Sequence, residues 1–276
     1  MGCIQSRSTE SNSDVIRKAL LIGINYFGTK SELRGCINDT INLKRFLISK
    51  GYFKDADFVM MNDRKFGKLN PTRMNILQQL SDLVEFAERH PTKNINIFVA
   101  YSGHGSHIED KSGDEYDGYD EMLCPVDYIQ NGFILDDDVK AGFIDLLPSN
   151  VNLFMLVDAC HSGTMGDLKY EYFSGKSLGC KINEKSIETE CNVVLLSGAR
   201  DAETAADAFL YDSTDKQHEY QGAMTAAFIA NYDDGMSYRD IIATTKLWLK
   251  LKKYKQNPQL SSGKLIDVES KVSNIF

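Results

Sequence analysis

The sequence predicts an α/β domain built on a mostly parallel central β-sheet with helices on both faces. Two observations predict it. Apolar runs of strand length recur along the 276 residues: KALLIGI (18–24), NIFVAY (96–101), VNLFMLV (151–157) and CNVVLLS (191–197). Continuous apolarity, without alternation, marks strands buried on both faces. Between these runs lie longer segments with helical spacing, and strands that alternate with helices imply a largely parallel sheet covered on both sides.

The first run stops at Asn25 and Gly28. Residues 36–49 then place Ile37, Ile41, Leu43, Phe46 and Leu47 on one side of a helix, and Gly51 closes it. A strand follows at 57–61, and Asn70-Pro71 supplies a cap and first-turn proline for a helix running to about Arg89. The strand at 96–101 ends in Ser102-Gly103-His104-Gly105. A helix at 137–147, strands at 151–157 and 191–197, helices at 223–231 and 237–254 and a last strand at 259–266 complete the pattern. Residues 169–190 lack periodicity and read as an exposed flexible loop, and 209–222 reads as a second loop.

The net charge of −8 argues against nucleic acid as a partner. It is also local. Between Glu109 and Asp138 stand eleven acids and one base, Lys111, so the rest of the chain carries about +2. The cysteines at 3, 36, 124, 160, 180 and 191 follow a polar start with no secretory signal, which predicts reduced thiols in a cytosolic setting. No apolar run approaches the roughly 18 residues of a membrane span. Residues 1–16 read as a disordered tail whose opening, Met-Gly-Cys-Ile-Gln-Ser, fits N-myristoylation at Gly2 with Cys3 open to palmitoylation. Two acyl chains would hold the protein stably at a membrane surface.

Two strand ends carry chemistry. One gives Ser102-Gly103-His104-Gly105, the other Asp158-Ala159-Cys160-His161-Ser162-Gly163. Parallel strands present their C-terminal ends on one edge of the sheet, so His104 and Cys160 can face each other. A thiol beside an imidazole is an activated nucleophile, and flanking glycines let main-chain N–H groups point at a developing oxyanion. The plainer alternative makes Cys160 a small buried hydrophobe and His104 a surface histidine. His107 and His161 are weaker candidates, the first lying beyond the glycine turn and the second pointing away from its neighbour Cys160.

The motifs LRGCINDT (33–40), YSGHG (101–105), DGYDEMLCPVD (117–127) and DACHSG (158–163) together resemble the metacaspases, caspase-like cysteine peptidases, from about Arg17 to the C-terminus. The resemblance implies a caspase-like fold: one peptidase domain over 17–276, with a large portion (17–168), the loop (169–190) and a small portion (191–276). It implies a His104/Cys160 dyad, with an oxyanion hole from the N–H groups of Gly105 and Cys160. It also implies cleavage after Arg or Lys, with Cys36, Asp39, Ser102 and Asp158 as the substrate-binding residues. Cys36 and Asp39 stand three apart at a helix start, and Asp158 stands two before the nucleophile on the same strand. The competing roles are helix capping for Asp39 and orientation of the histidine for Asp158.

The acidic run finds an explanation in a bound cation. Oxygen donors without histidine or thiolate favour calcium. An EF-hand over 110–121 fails because Glu115 stands where that loop needs glycine. By resemblance to calcium-dependent metacaspases the ligands are Asp120, Asp136, Asp137 and Asp167; the alternative is a solvated acidic surface. Family members cut themselves after basic residues, which makes Lys169, Lys176, Lys181 and Lys185 candidate self-cleavage sites. The expectation is a monomeric, calcium-dependent Arg/Lys-specific cysteine endopeptidase acting on proteins or peptides at the cytoplasmic face of a membrane. The reading set against it is a catalytically silent, membrane-tethered scaffold of the same fold.

Overall fold

A computed structural model of the chain describes residues 15–64, 69–109, 119–160, 162–163, 165–173, 179–198, 207–212 and 217–276. The expected acylation sites Gly2 and Cys3, together with Lys176 and His161, lie outside them.

The chain forms β1 (Val15–Gly23), α1 (Cys36–Ser49), β2 (Phe58–Asn62), α2 (Arg73–Glu88), β3 (Asn94–Ser102), β4 (Gly105–Glu109) and β5 (Tyr119–Leu123). It continues with α3 (Tyr128–Asn131), β6 (Ile134–Leu135), α4 (Asp136–Gly142), β7 (Val151–Asp158), β8 (Tyr170–Phe173) and β9 (Gly179–Ile182). The last elements are β10 (Asn192–Ser197), β11 (Asp207–Asp212), β12 (Gln217–Gly222), α5 (Ala223–Asn231), α6 (Tyr238–Leu251) and β13 (Gln259–Ser262).

The central sheet has eight strands in the order β2-β1-β3-β7-β10-β13-β8-β9. The first five are parallel and the last three antiparallel. The register puts Gly23 beside Ser102, Ser102 beside Asp158, and Ser197 beside Val157, so four strands stop along one edge.

The period-2 geometry of each apolar run divides it between two cores. Leu20, Ile22, Ile97, Val99, Leu153 and Met155 face α2 and α4, while Leu21, Phe98, Phe154 and Leu196 face α1, α5 and α6. Phe98 is fully buried and stacks on Phe154 at 5.7 Å between centroids. Truncating such a ring costs about 3–5 kcal/mol.

Several expected elements are corrected. The helix expected from Asn70-Pro71 starts at Arg73, because the Thr72 hydroxyl, accepting from Asn75 N at 3.2 Å, is the better cap. The helix expected at 137–147 breaks at Gly142 and resumes as a single tight turn at Ile144–Leu146. Part of the expected loop at 169–190 is sheet: Tyr170 and Tyr172 are buried on the side that pairs with β13, and β9 forms the outer edge. Part of the expected loop at 209–222 is the hairpin β11-β12. The last strand stops at Ser262, four residues short of its expected end. The acidic segment contributes β5 to a small three-stranded sheet with β4 and β6.

Candidate active site

The two glycine-flanked strand ends lie against each other. Gly103 N donates to the Asp158 carbonyl at 3.4 Å. One turn further, a Cβ on Gly105 would collide with the Cys160 carbonyl oxygen and lie 3.2 Å from Ala159 Cβ. Only glycine permits that approach. His104 sits between these contacts and is half-buried, as is Cys160. His104 Nε2 lies 2.7 Å from the Ser31 carbonyl. A carbonyl only accepts, so Nε2 carries the proton and Nδ1 is left as the basic nitrogen. His107 is exposed on β4 with its ring against Tyr119.

Cys124 is buried close by, and burial first, then the neighbouring Cys160, pushes its thiol up to about 12. A thiol so shifted stays protonated at neutral pH and is inert as a nucleophile.

Behind the strand ends, the four expected substrate-binding residues share one edge. The Cys36 carbonyl abuts Gly23, which pairs with Ser102, which pairs with Asp158. Asp39 is fully buried and Asp158 is 5% exposed. Both carboxylates meet at Gly222: a Cβ there would collide with Asp158 Oδ2 and lie 2.7 Å from Asp39 Oδ2. Asp39 Oδ1 accepts from Gly222 N at 2.8 Å, and Asp158 Oδ2 accepts from Thr225 N at 2.9 Å at the start of α5. The side-chain amide of Gln256 reaches Asp158 Oδ1 at 3.4 Å, while its Oε1 is buried with no hydrogen-bond partner among the described residues. Two carboxylates so close, away from water, repel as a charged pair, and either a shared proton or a nearby cation relieves that repulsion.

Of the four expected calcium ligands, Asp136 is fully buried, Asp120 and Asp167 are nearly so, and Asp137 is half-buried. Asp136 accepts from Glu121 N at 2.7 Å and Asp137 N at 3.0 Å. Burial first, then the Asp167 charge, pushes its carboxyl up to about 8; Asp120 adds to this and the two N–H groups oppose it. Asp167 itself has a left-handed backbone, φ +44°. Asp137 and Asp167 line a cleft of about 350 Å³ with Lys140, Asp145 and Lys185. The donors are all carboxylate oxygens, which fits a hard cation. Among the described residues, no three His, Cys, Asp or Glu side chains converge as a ready-made metal site.

The profile of the metacaspase peptidase C14 domain matches residues 17–169. The chain belongs to the metacaspase family. It is 34% identical over 304 aligned residues to Metacaspase-1 of Eremothecium gossypii, an alignment covering 91% of this chain and 65% of that protein. It is 33% identical to Metacaspase-1B of Aspergillus terreus, with 91% and 76% covered, and 34% identical to Metacaspase-1 of Candida albicans, with 93% and 67% covered. This metacaspase therefore spans just under two thirds of the Eremothecium protein. In fold it is similar to the crystal structure of protein GSU0716 from Geobacter sulfurreducens, with a TM-score of 0.60 at 19% identity over 93% of this chain and 98% of that one.

The three described candidate self-cleavage lysines of this metacaspase differ in access. Lys169 is half-buried with its carbonyl bound by Asn183 N, and Lys181 lies within β9 beside Glu171. Lys185 is exposed in the turn after β9. Among the described residues, no helix is long and apolar enough to cross a membrane.

Sequence reasoning missed Tyr26, Ser31, Gly222, Thr225 and Gln256. Tyr26 carried a signal, a hydroxyl-bearing aromatic where an apolar run meets a glycine turn. The other four reach the site by tertiary contacts that no local pattern announces.

Proposed function

We propose that the chain is a calcium-dependent cysteine endopeptidase that cleaves after Arg or Lys. The observation that carries this reading is the closure of the His104 and Cys160 strand ends on each other at Gly105. His104 Nδ1 takes the Cys160 proton, and the thiolate attacks the scissile carbonyl carbon. The N–H groups of Gly105 and Cys160 stabilise the resulting oxyanion, a donor pair in which each member is worth about 10²–10³ in rate. His104 then protonates the leaving amine as the C–N bond breaks, which leaves an acyl thioester on Cys160. A water deprotonated by the same nitrogen releases the acid and restores the thiol.

Asp39 and Asp158, with Cys36 and Ser102 beside them, would receive the basic side chain before the cleaved bond. Each charge-assisted hydrogen bond there contributes roughly 1.5–3 kcal/mol. An acidic side chain would be repelled. Asp120, Asp136, Asp137 and Asp167 would hold the calcium ion, which supplies charge neutralisation to a crowded carboxylate cluster. Asp167 follows the nucleophile segment, so drawing it toward Asp120 and Asp136 would order the cleft. Its exposure makes Lys185 the favoured self-cleavage site among the described lysines. Acylation at Gly2 and Cys3 would tether a monomeric enzyme to the cytoplasmic face of a membrane.

The test is a calcium titration of fluorogenic peptides carrying Arg, Lys or Asp before the cleaved bond, beside Cys160→Ala. Expected are calcium-dependent cleavage after Arg and Lys, none after Asp, and loss of all turnover in Cys160→Ala. No turnover in the unaltered protein at millimolar calcium would favour the silent scaffold. Gly2→Ala is expected to shift the protein from the membrane to the soluble fraction.

A further inference from the structure

Both main-chain groups of His104 are held by tyrosine hydroxyls. Its N–H donates to Tyr26 Oη at 2.9 Å, and its carbonyl accepts from Tyr101 Oη at 2.8 Å. The two phenol oxygens are 3.2 Å apart. Tyr26 gives its own proton to the Cys124 carbonyl at 2.6 Å, and Cys124 N donates to Tyr101 Oη at 3.2 Å. Each phenol has one proton to give. Tyr26 places its proton on the Cys124 carbonyl, and Tyr101 faces the His104 carbonyl at 2.8 Å and the Cys124 carbonyl at 3.1 Å, while Cys124 N also donates to the His104 carbonyl at 3.1 Å. Burial raises both phenols well above their ordinary range, so both remain donors at any working pH.

Tyr26 is also in an unusual conformation. Its φ of +53° lies in the left-handed region, where a bulky residue is an outlier and glycine is the inexpensive choice. Such a backbone persists when its surroundings over-determine it, and such residues cluster at functional sites. Here the ring is 2% exposed, stands edge-on to Tyr128, and lies against the His104 imidazole at 4.7 Å between centroids with a 40° tilt.

The loop that carries Tyr26 also carries Ser31, whose carbonyl binds His104 Nε2. Asn25 fixes that loop at its base: its N–H donates to Asp63 Oδ1, its carbonyl accepts from Leu33 N, and its Oδ1 accepts from Ile37 N at the start of α1. One loop therefore grips the histidine at its backbone, its ring face and its outer nitrogen.

We propose that Tyr26 is a positioning residue for His104, its hydroxyl fixing the main chain and its ring fixing the imidazole tilt so that Nε2–H stays on Ser31 and Nδ1 stays available to Cys160. This rests on the reading of His104 as the base. Tyr26 acts through His104 and makes no contact with substrate.

The test compares Tyr26→Phe and Tyr26→Leu with the unaltered chain. Phe keeps the ring and loses the hydroxyl; Leu loses both. In Tyr26→Phe, kcat is expected to fall about tenfold with KM within twofold, the rate equivalent of one lost neutral hydrogen bond. Tyr26→Leu should lose more, with Phe partly restoring turnover. Proton NMR of the histidine-labelled protein, assigned with His104→Ala, supplies the second readout. The low-field Nε2–H signal of His104 should shift or broaden in both variants. If a variant melts below the assay temperature, Tyr101→Phe replaces it, with the same signature expected from loss of the other hydroxyl. Unaltered kcat and an unaltered His104 signal in the folded variants would overturn the proposal. The two readings fail separately: an active His104→Ala removes the dyad, whereas an inactive His104→Ala beside silent tyrosine variants removes only the role of Tyr26.

Discussion

Asp39 and Asp158, one on a helix and the other at a strand end, bring their carboxylates to a single point at Gly222. One main-chain N–H from that glycine serves Asp39, and the N-terminus of α5 serves Asp158. On the proposed reading the pair receives a substrate cation. Asp39→Asn and Asp158→Asn should each lower kcat/KM on an Arg peptide by about tenfold to a hundredfold, one charge-assisted hydrogen bond's worth. Equal loss on Arg and on neutral peptides would mean that the carboxylates serve the fold.

Gln256 carries a sharper version of the same idea. Among the described residues, its Oε1 and Thr225 Oγ1 are buried oxygens without hydrogen-bond partners beside Asp158. A guanidinium has five N–H donors and an ammonium three, so spare acceptors favour arginine. Gln256→Leu and Thr225→Val are expected to reduce the Arg-to-Lys ratio of kcat/KM several-fold, measured on paired peptides. An unchanged ratio with a raised melting temperature would make both orphaned acceptors a purely structural cost.

Gly105→Ala tests the contact between the strand ends. The added methyl would meet the Cys160 carbonyl, which is backbone and cannot swing aside. Overpacking of this kind costs about 1–3 kcal/mol. The variant should remain folded by circular dichroism yet lose at least a hundredfold in turnover, because a displacement near 1 Å at reacting groups has that cost. Full activity in Gly105→Ala would show that the two segments are not held in working geometry by that approach.

Cys124 and Cys160 should separate by alkylation. With its thiol pushed up to about 12, Cys124 stays neutral below that pH and should not react with iodoacetamide at pH 8. Peptide mapping after labelling is expected to find Cys160 modified and Cys124 intact. Raising the pH toward 11 should slow turnover little through Cys124, since that thiol is still protonated. Rapid modification of Cys124 at pH 8 would mean that it is less buried than the structure makes it.

Calcium should stabilise the folded chain in proportion to its affinity. The melting temperature is expected to rise with millimolar calcium in the unaltered chain and in Cys160→Ala, and to be indifferent to calcium in Asp136→Asn. Because this readout needs no turnover, it separates metal binding from catalysis. A calcium response that survives both Asp136→Asn and Asp167→Asn would move the site elsewhere.

Much of this was written in the sequence. The apolar runs, each buried on both faces, could only be interior strands, and their parallel order follows from the helices between them. That put the ends of β3 and β7, with His104 and Cys160, on one edge of the sheet, and the strand order made the two ends neighbours. Local pattern also marked the acids of 109–138 as too concentrated to stand without a purpose.

The tertiary structure decided what pattern cannot express. Strand β8 buries Tyr170 and Tyr172 only once it pairs with β13, and β9 is a short, largely exposed edge strand, so both read as loop. The hold of Tyr26 and Ser31 on His104, and the meeting of Gly222 and Gln256 with Asp158, join residues far apart in the chain. Periodicity reports which face of an element is buried. Which distant atom completes a hydrogen bond is settled only by packing, because it depends on how whole layers come to rest on one another.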